Sequence, residues 1–355
     1  MEGMVDAQSG QFKENVLAVV GNTPLVRFDR YLPHKGVNLF AKLEMLNPGG
    51  SIKDRPATAI LEKALQSRTI NSETVIVESS SGNMGIGLAQ ACRYYGLRFV
   101  CVVDPRTAHQ NLQLLRVYGA EVDYVDQPDP VTGEFLQARI HRVHTLLQEI
   151  ENSFWPNQYE NPNNPGVHYR TTMREIAQAL EGKVDYLLVA TSTCGTIRGC
   201  AEYVRDHRLQ TRIVAVDAVG SLIFSNMKAK RMIPGIGAGI KPPLNEPSLI
   251  DEVIHVSDLD CVTGCRRLVS REAVLAGGSS GGVLSALEKL LHRLPAGATC
   301  VVILPDRGER YLDTIYSDEW VQQHFGHVDH LWRNTVETSG RDNRNLNAGK
   351  GGVSR

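Results

Sequence analysis

The sequence predicts an α/β fold with mostly parallel sheets, and three observations lead there. Short apolar, β-branched runs recur at 75–77, 99–103, 186–190, 213–216 and 301–304. None alternates polar with apolar residues, the pattern of strands covered on both faces. Between them lie amphipathic stretches at 84–95, 111–118 and 171–181, each followed by glycine (Gly96, Gly119, Gly182), which readily takes the conformation that ends a helix. The 355 residues, 42% hydrophobic and 22% charged, match an average globular composition and are enough for two packed units.

Charge and composition narrow the function. Thirty-eight basic against thirty-nine acidic side chains leave a formal charge of -1, so no global field draws in nucleic acid or an anionic membrane. No stretch approaches the roughly 18 apolar residues of a membrane span, and the opening MEGMVDAQSGQFKEN lacks a signal peptide's basic and apolar segments. A cytoplasmic protein is expected. Cys92, Cys101, Cys194, Cys200, Cys261, Cys265 and Cys300 never form CxxC, so neither a metal site nor a disulfide framework is expected, and the thiols read as small buried hydrophobes. QPDPVTG (127–133) and NQYENPNNPG (157–166) are turn-rich, the second unsuited to helix or strand, and one of them is expected near a domain seam.

Three Gly/Ser/Thr-rich loops, SSSGNMG (79–85), STCGTIRG (192–199) and GGSSGG (277–282), read as turns that leave an apolar strand and open a helix. Such turns aim backbone N–H groups and the helix dipole at an anion. GxxxxGK[ST] is absent, and no GxGxxG follows a strand; PGIGAG (234–239) runs into Ile-Lys-Pro-Pro, which opens no helix. ATP and NAD are therefore poor candidates. Pyridoxal phosphate suits the loops better, since its phosphate sits on a helix N-terminus and its aldehyde condenses with a lysine. The candidate is Lys53 in NPGGSIKDRPA (47–57), bracketed by Asp54 and Arg55 where a helix begins. Read from the residues alone, a solvated helix-start charge, the usual fate of a lysine, stays ahead.

NPGGSIKDRPA, SSSGNMG, STCGTIRG, GGSSGG and LPDRGERYLDT (304–314), with VVGNTPLVRF (19–28) before them and NQYENPNNP (157–165) between, resemble in that order the motif set of the cysteine synthase and cystathionine β-synthase family, the fold-type-II pyridoxal-phosphate enzymes. The resemblance implies two open, mostly parallel-sheet domains, tryptophan synthase β-like, with the cofactor in the cleft between them. Residues 16–45 and 155–325 would form the larger domain and 46–154 a smaller mobile one, with 1–15 an extension and 326–355 a flexible tail. It also implies a homodimer acting on small amino acids. Lys53 would form the internal aldimine and serve as general base. Asn83 would hydrogen-bond the cofactor's 3′-oxygen, Ser192, Thr193, Cys194, Gly195 and Thr196 would wrap its phosphate, and Ser279 would meet the pyridine nitrogen. Ser80, Ser81, Gly82 and Gln158 would hold the substrate carboxylate. A serine at the ring nitrogen leaves it unprotonated, which favours β-elimination followed by addition of a second nucleophile.

The chain departs from that pattern at four positions: Met84 replaces the usual threonine beside the substrate, Arg307 the usual serine, and Ser192 and Cys194 the usual glycines. SSSGNMG, STCGT and PDRGERYLD together are more similar to the branch that makes N-(2-amino-2-carboxyethyl)-L-glutamate from O-phospho-L-serine and L-glutamate, towards 2,3-diaminopropionate for siderophores and peptide antibiotics. A cysteine synthase using O-acetylserine or O-phosphoserine with sulfide is the alternative, and a non-catalytic cofactor-binding scaffold or regulator the second. Arg139, in the helix expected at 137–150, best matches the branch's substrate-binding arginine; Arg142 competes with it, and a solvated helix face is the other reading for both. Tyr159 either meets the incoming substrate or packs beneath it. His141, His144 and His168 read as surface or packing residues. Haem-dependent cystathionine β-synthase is set aside, for want of a Cys/His segment in the first 15 residues and of length after Phe325 for a regulatory domain.

Overall fold

Strands apolar along their whole length need helices on both faces, and this chain builds that arrangement twice. The computed structural model describes residues 12–32 and 36–333. The larger sheet contains β1 (Leu25–Arg27), β2 (Asn38–Leu43), β7 (Tyr186–Ala190), β8 (Arg212–Ala218), β9 (Glu252–Val256) and β10 (Thr299–Leu304) in the order β1-β2-β10-β7-β8-β9. Only β1 is antiparallel to its neighbour. The smaller sheet is wholly parallel, with β3 (Val75–Ser79), β4 (Arg98–Val103), β5 (Glu121–Tyr124) and β6 (Ser153–Phe154) in the order β5-β4-β3-β6.

Alternate residues of each strand enter different cores. Leu188, Val214, Val216, Val302 and Leu304 pack with α8 (Asp258–Glu272) and α9 (Gly278–Leu290). Leu187, Val189, Ile213, Ala215, Val301 and Ile303 pack on the other face with α7 (Gly195–Asp206). In the smaller sheet Ile76, Phe99 and Cys101 face α1 (Asp54–Gln66) and α2 (Asn83–Tyr95), while Val77, Val100 and Val102 face α4 (Phe135–Glu149). Each fully buried Val, Leu, Ile or Phe among these contributes about 1.5–3 kcal/mol. All seven cysteines are free and buried, as their scattered positions suggest.

Strand order fixes where a ligand can sit. In the smaller sheet the chain runs outward from β3 to β4 and β5, then returns to place β6 on the other side of β3; in the larger it runs from β7 to β8 and β9, then places β10 on the other side of β7. At such reversals the loops leaving the carboxyl ends part and open a crevice. The loops after β3 and β6 are SSSGN and NQYEN; those after β7 and β10 are STCGT and PDRGERY.

Four expectations are corrected. The 157–166 stretch is not free of helix: Asn163–Val167 form α5, because Pro165 falls in its first turn, where a missing N–H costs nothing. The helix expected at 171–181 is present but opens on a π-helical segment, His168–Met173, before α6 (Arg174–Ala179) and ends two residues sooner. GGSSGG leaves no strand; it follows the left-handed Ala273 that ends α8 and forms the first turns of α9. A side-chain carbon on Gly281 would lie 2.0 Å from the Cys261 carbonyl, so that glycine serves the close α8–α9 crossing. Finally, 326–333 packs on the larger core through Val328 and Trp332, with Arg267 donating to the Leu331 carbonyl at 2.9 Å, where a flexible tail was expected. The rest of that expected tail, like 1–11 of the extension, lies outside the described residues. The fourth helix of the smaller unit, α3 (His109–Val117), completes the layer. Among the described residues no helix is long and apolar enough to cross a membrane.

Candidate active site

Lys53 is the residue on which α1 begins, and its loop is fastened at several points. Gly49 N–H donates to Asp54 Oδ2 at 2.5 Å, Ile52 N–H to the Pro305 carbonyl at 2.8 Å, and Arg307 N–H to the Gly50 carbonyl at 3.2 Å. The lysine is thereby held against the segment that follows β10. Burial lowers the pKa of its ammonium, with the negative charges of Asp306 and Glu44 opposing. A lysine whose charged form is disfavoured is nucleophilic, which a solvated helix-start charge is not.

Lys53 lines one cleft with Ser192, Thr193, Cys194 and Thr196. Cys194 caps the twelve-residue α7 in a left-handed conformation, φ 65°, which turns the loop so that helix N–H groups face the cleft. Gly195 is required by a close approach: a side-chain carbon there would lie 2.1 Å from Asn164 Oδ1. Asn164 is buried and donates to the Gln158 carbonyl at 2.8 Å and Thr193 Oγ1 at 3.3 Å. His168, fully buried, meets Thr196 Oγ1 at 3.2 Å and Thr172 Oγ1 at 2.9 Å, and burial lowers its pKa well below the usual imidazole range. Thus His168 packs, as expected, but it packs against the anion loop.

Asn83 begins α2. Its Nδ2 donates to Asp306 Oδ2 at 2.8 Å, and Arg310 donates to its Oδ1. Tyr311 also donates to Asp306 Oδ2, at 2.6 Å. The amide keeps one N–H to offer a ligand, while its oxygen is already turned to Arg310. Ser279 is buried in the first turn of α9, its hydroxyl 4.0 Å from where a side chain on Gly235, another residue of the cleft, would begin. Asp306 and Arg310 were not singled out from the sequence, although the quoted LPDRGERYLDT motif contains both. Arg307 is exposed and turns its Nε to the Met45 carbonyl at 3.0 Å, away from the cleft-lining residues.

The residues expected to hold a substrate carboxylate divide. Ser81 and Gly82 are half-buried, and a side chain on Gly82 would meet open space. Ser80 is buried, and its Oγ accepts the Gly85 N–H at 2.8 Å, so this hydroxyl braces α2. Met84 is corrected outright: its side chain lies in the small-sheet core with Ile60, Leu61 and Leu88, because the second residue of α2 faces inward. Gln158 is buried beside β3, with Nε2 3.5 Å from the Ser79 carbonyl.

Arg139 is not on a solvated helix face. It is 8% exposed, places Nε 3.3 Å from Asp104 Oδ2, and leaves Nε and one terminal nitrogen without a hydrogen-bond partner. A buried guanidinium with spare donors is poised for an anion. Half-buried Tyr159 lies in the field of Arg139 and Arg231; burial raises its pKa and those cations oppose the rise. Arg142 is already committed, to Asp123 at 2.9 Å and Glu149 at 3.2 Å. His141 contacts Asp129 at 3.3 Å and His144 stacks edge-on against Trp155. The described residues contain no cluster of His, Cys, Asp and Glu able to hold a metal.

Comparison with known proteins identifies relatives of the chain. Residues 16–306 match the model of the family described as pyridoxal-phosphate dependent enzyme. The chain is 47% identical over 308 residues, 87% of its own length and 91% of the relative's, to the N-(2-amino-2-carboxyethyl)-L-glutamate synthase of Ralstonia nicotianae. Among solved structures, the O-acetylserine dependent cystathionine β-synthase from Helicobacter pylori superimposes with a TM-score of 0.81 at 31% identity, covering 87% of this chain and all of that one. An O-ureido-L-serine synthase superimposes with a TM-score of 0.80 at 29% identity, covering 87% of this chain and 98% of that one.

Proposed function

The chain belongs to the pyridoxal-phosphate dependent enzyme family, and from that premise we propose that it replaces the phosphate of O-phospho-L-serine with the amine of L-glutamate, giving N-(2-amino-2-carboxyethyl)-L-glutamate and phosphate. One observation carries the reading: Lys53, its charge disfavoured by burial, shares a cleft with the N-terminus of α7. A free amine and an anion cradle at one opening are what an aldehyde that carries a phosphate requires, so the residues fit the cofactor. Identity of 47% to a synthase of that product supports the choice of substrates.

When bound, pyridoxal phosphate supplies the electron sink that makes an amino acid's α-proton removable. Lys53 would hold the cofactor aldehyde and, when freed, would accept the substrate's α-proton on Nζ. Ser192, Thr193, Cys194, Gly195 and Thr196 would hold the phosphate, Asn83 would offer the cofactor its remaining amide proton, and Ser279 would meet the ring nitrogen without protonating it. Ser81, Gly82 and Gln158, with Ser80 through its backbone, orient the substrate carboxylate. The Cβ–O bond to phosphate would break, a bond from Cβ to the glutamate nitrogen would form as that amine gives up a proton, and Lys53 would return the α-proton to Cα. Arg139, Tyr159 and Ser192 receive the additional anionic groups of these substrates, a task that fits a buried guanidinium with unused donors. The family resemblance further implies a cytoplasmic homodimer in which 46–154 moves against 16–45 and 155–325, supplying 2,3-diaminopropionate for siderophore or peptide-antibiotic assembly.

The test is product mass spectrometry after offering O-phosphoserine or O-acetylserine, each with glutamate or sulfide. The glutamate adduct from O-phosphoserine is expected. Efficient cysteine formation from O-acetylserine and sulfide, with no glutamate adduct, would make the enzyme a cysteine synthase.

A further inference from the structure

Glu78 ends the run of apolar residues in β3 and is 1% exposed. Its Oε1 accepts the Ser79 N–H at 2.8 Å and the Trp155 indole N–H at 3.0 Å; its Oε2 accepts the Gln158 N–H at 3.2 Å. Ser79 and Gln158 lead the two loops that part at the reversal between β3 and β6, and both loops bear residues read as the substrate-carboxylate cradle. From Gln158 the connection continues through Asn164 to Thr193 of the anion loop. A carboxylate accepting several N–H donors on its two oxygens is a rigid junction, since such charged hydrogen bonds are about twice as strong as neutral ones.

We propose that Glu78 is the positioning residue of the cradle: by binding the backbone of Ser79 and Gln158 together it sets the separation of the two loops that grip the substrate carboxylate. Glu78 makes no contact with the reacting atoms in this role, and the proposal rests on the β-replacement reading above.

Protonation is what would undo the junction, because a neutral carboxyl carries a proton where an acceptor is needed. Burial raises the pKa of Glu78 to about 7, with Trp155, Ser79, Gln158 and Arg139 opposing. The groups facing it are Arg139 from α4, Cys101 from β4 and Tyr159 after β6, while His144 of α4 packs on Trp155. The grip is therefore complete above neutral pH and weakens as pH falls through the folded pKa.

The test uses the holoenzyme and the pH dependence of KM for O-phosphoserine. Glu78→Gln should raise KM about tenfold with kcat changed less than about twofold, the mark of lost ground-state binding, and should abolish the rise in KM below pH 7. Trp155→Phe, which removes one donor without touching the cradle, should move that rise to higher pH, because the carboxylate loses a partner. A purely structural role would lower the melting temperature of both variants and leave the profile in place; that result, or an unchanged KM in Glu78→Gln, overturns the proposal. Should Glu78→Gln not fold, the Trp155→Phe profile decides alone. Wild-type enzyme without turnover on O-phosphoserine and glutamate would instead refute the functional reading.

Discussion

Replacing Arg55 with methionine should destabilise the protein severely while leaving every proposed ligand contact in place. Arg55 is 1% exposed and sits two residues after Lys53. Its Nε and one terminal nitrogen grip Glu44, each at 2.7 Å, and its terminal nitrogens grip Glu175 at 2.7 and 2.8 Å. Lys42 completes the cluster, 2.6 Å from Glu175. Two cations balance two carboxylates; methionine would leave two carboxylates on one ammonium. Breaking a buried pair by removing one partner costs about 3–5 kcal/mol, or roughly two to three and a half orders of magnitude in the folding equilibrium. Urea titration of the holoenzyme followed by circular dichroism should register that loss. The pH dependence carries a sign. Burial raises the Glu175 pKa, but Arg55 and Lys42 outweigh it and pull the pKa from 4.5 to about 2. A depressed carboxylate pKa stabilises fully above about 4.5, and the contribution is lost as pH falls toward 2. Wild type should therefore lose stability across that window more steeply than Arg55→Met. A midpoint shift worth less than about 1 kcal/mol would refute the claim that this cluster anchors the start of α1.

Two further outcomes follow from the site. Gly195→Ala should expel Asn164 from its position, costing two hydrogen bonds of about 0.5–1.5 kcal/mol each; equilibrium dialysis should show cofactor binding weakened roughly five- to a hundredfold. Arg139→Ala should lower kcat/KM for O-phosphoserine with glutamate about ten- to a hundredfold, since a charged hydrogen bond is worth about 1.5–3 kcal/mol, with cofactor content unchanged; unimpaired turnover would return Arg139 to a packing role.

β3, β4, β7, β8 and β10 were legible because strands buried on both faces are apolar throughout, whereas β5 (EVDY) and β9 (EVIHV) carry polar residues and went unread; the Gly/Ser/Thr-rich loops were legible by composition, although GGSSGG owes its glycines in part to the close α8–α9 crossing. Lys53 was legible as a candidate and the motif order placed it. What escaped were residues whose partners are far away in sequence. Asp306 and Arg310 meet Asn83 across 223 and 227 positions, and Glu175 meets Arg55 across 120; no local periodicity announces such partners. Glu78 was not singled out, since its meaning depends on β6 lying beside β3. Met84 failed for the opposite reason. Correspondence with a family threonine placed it at the substrate, whereas helix phase turns its side chain into the core. Arg139 illustrates the limit of composition, since a charged residue on an amphipathic helix is usually solvated and here lies under the neighbouring loops.

The central claim is that Lys53 carries the cofactor. Reducing the holoenzyme with borohydride, digesting it and sequencing the peptides by mass spectrometry tests this directly. The account predicts a single pyridoxyl-phosphate adduct on Lys53 in the NPGGSIKDRPA segment, and none when Lys53→Ala protein loaded with cofactor is treated alike. An adduct on any other lysine of the wild-type chain, with Lys53 unmodified, would contradict it.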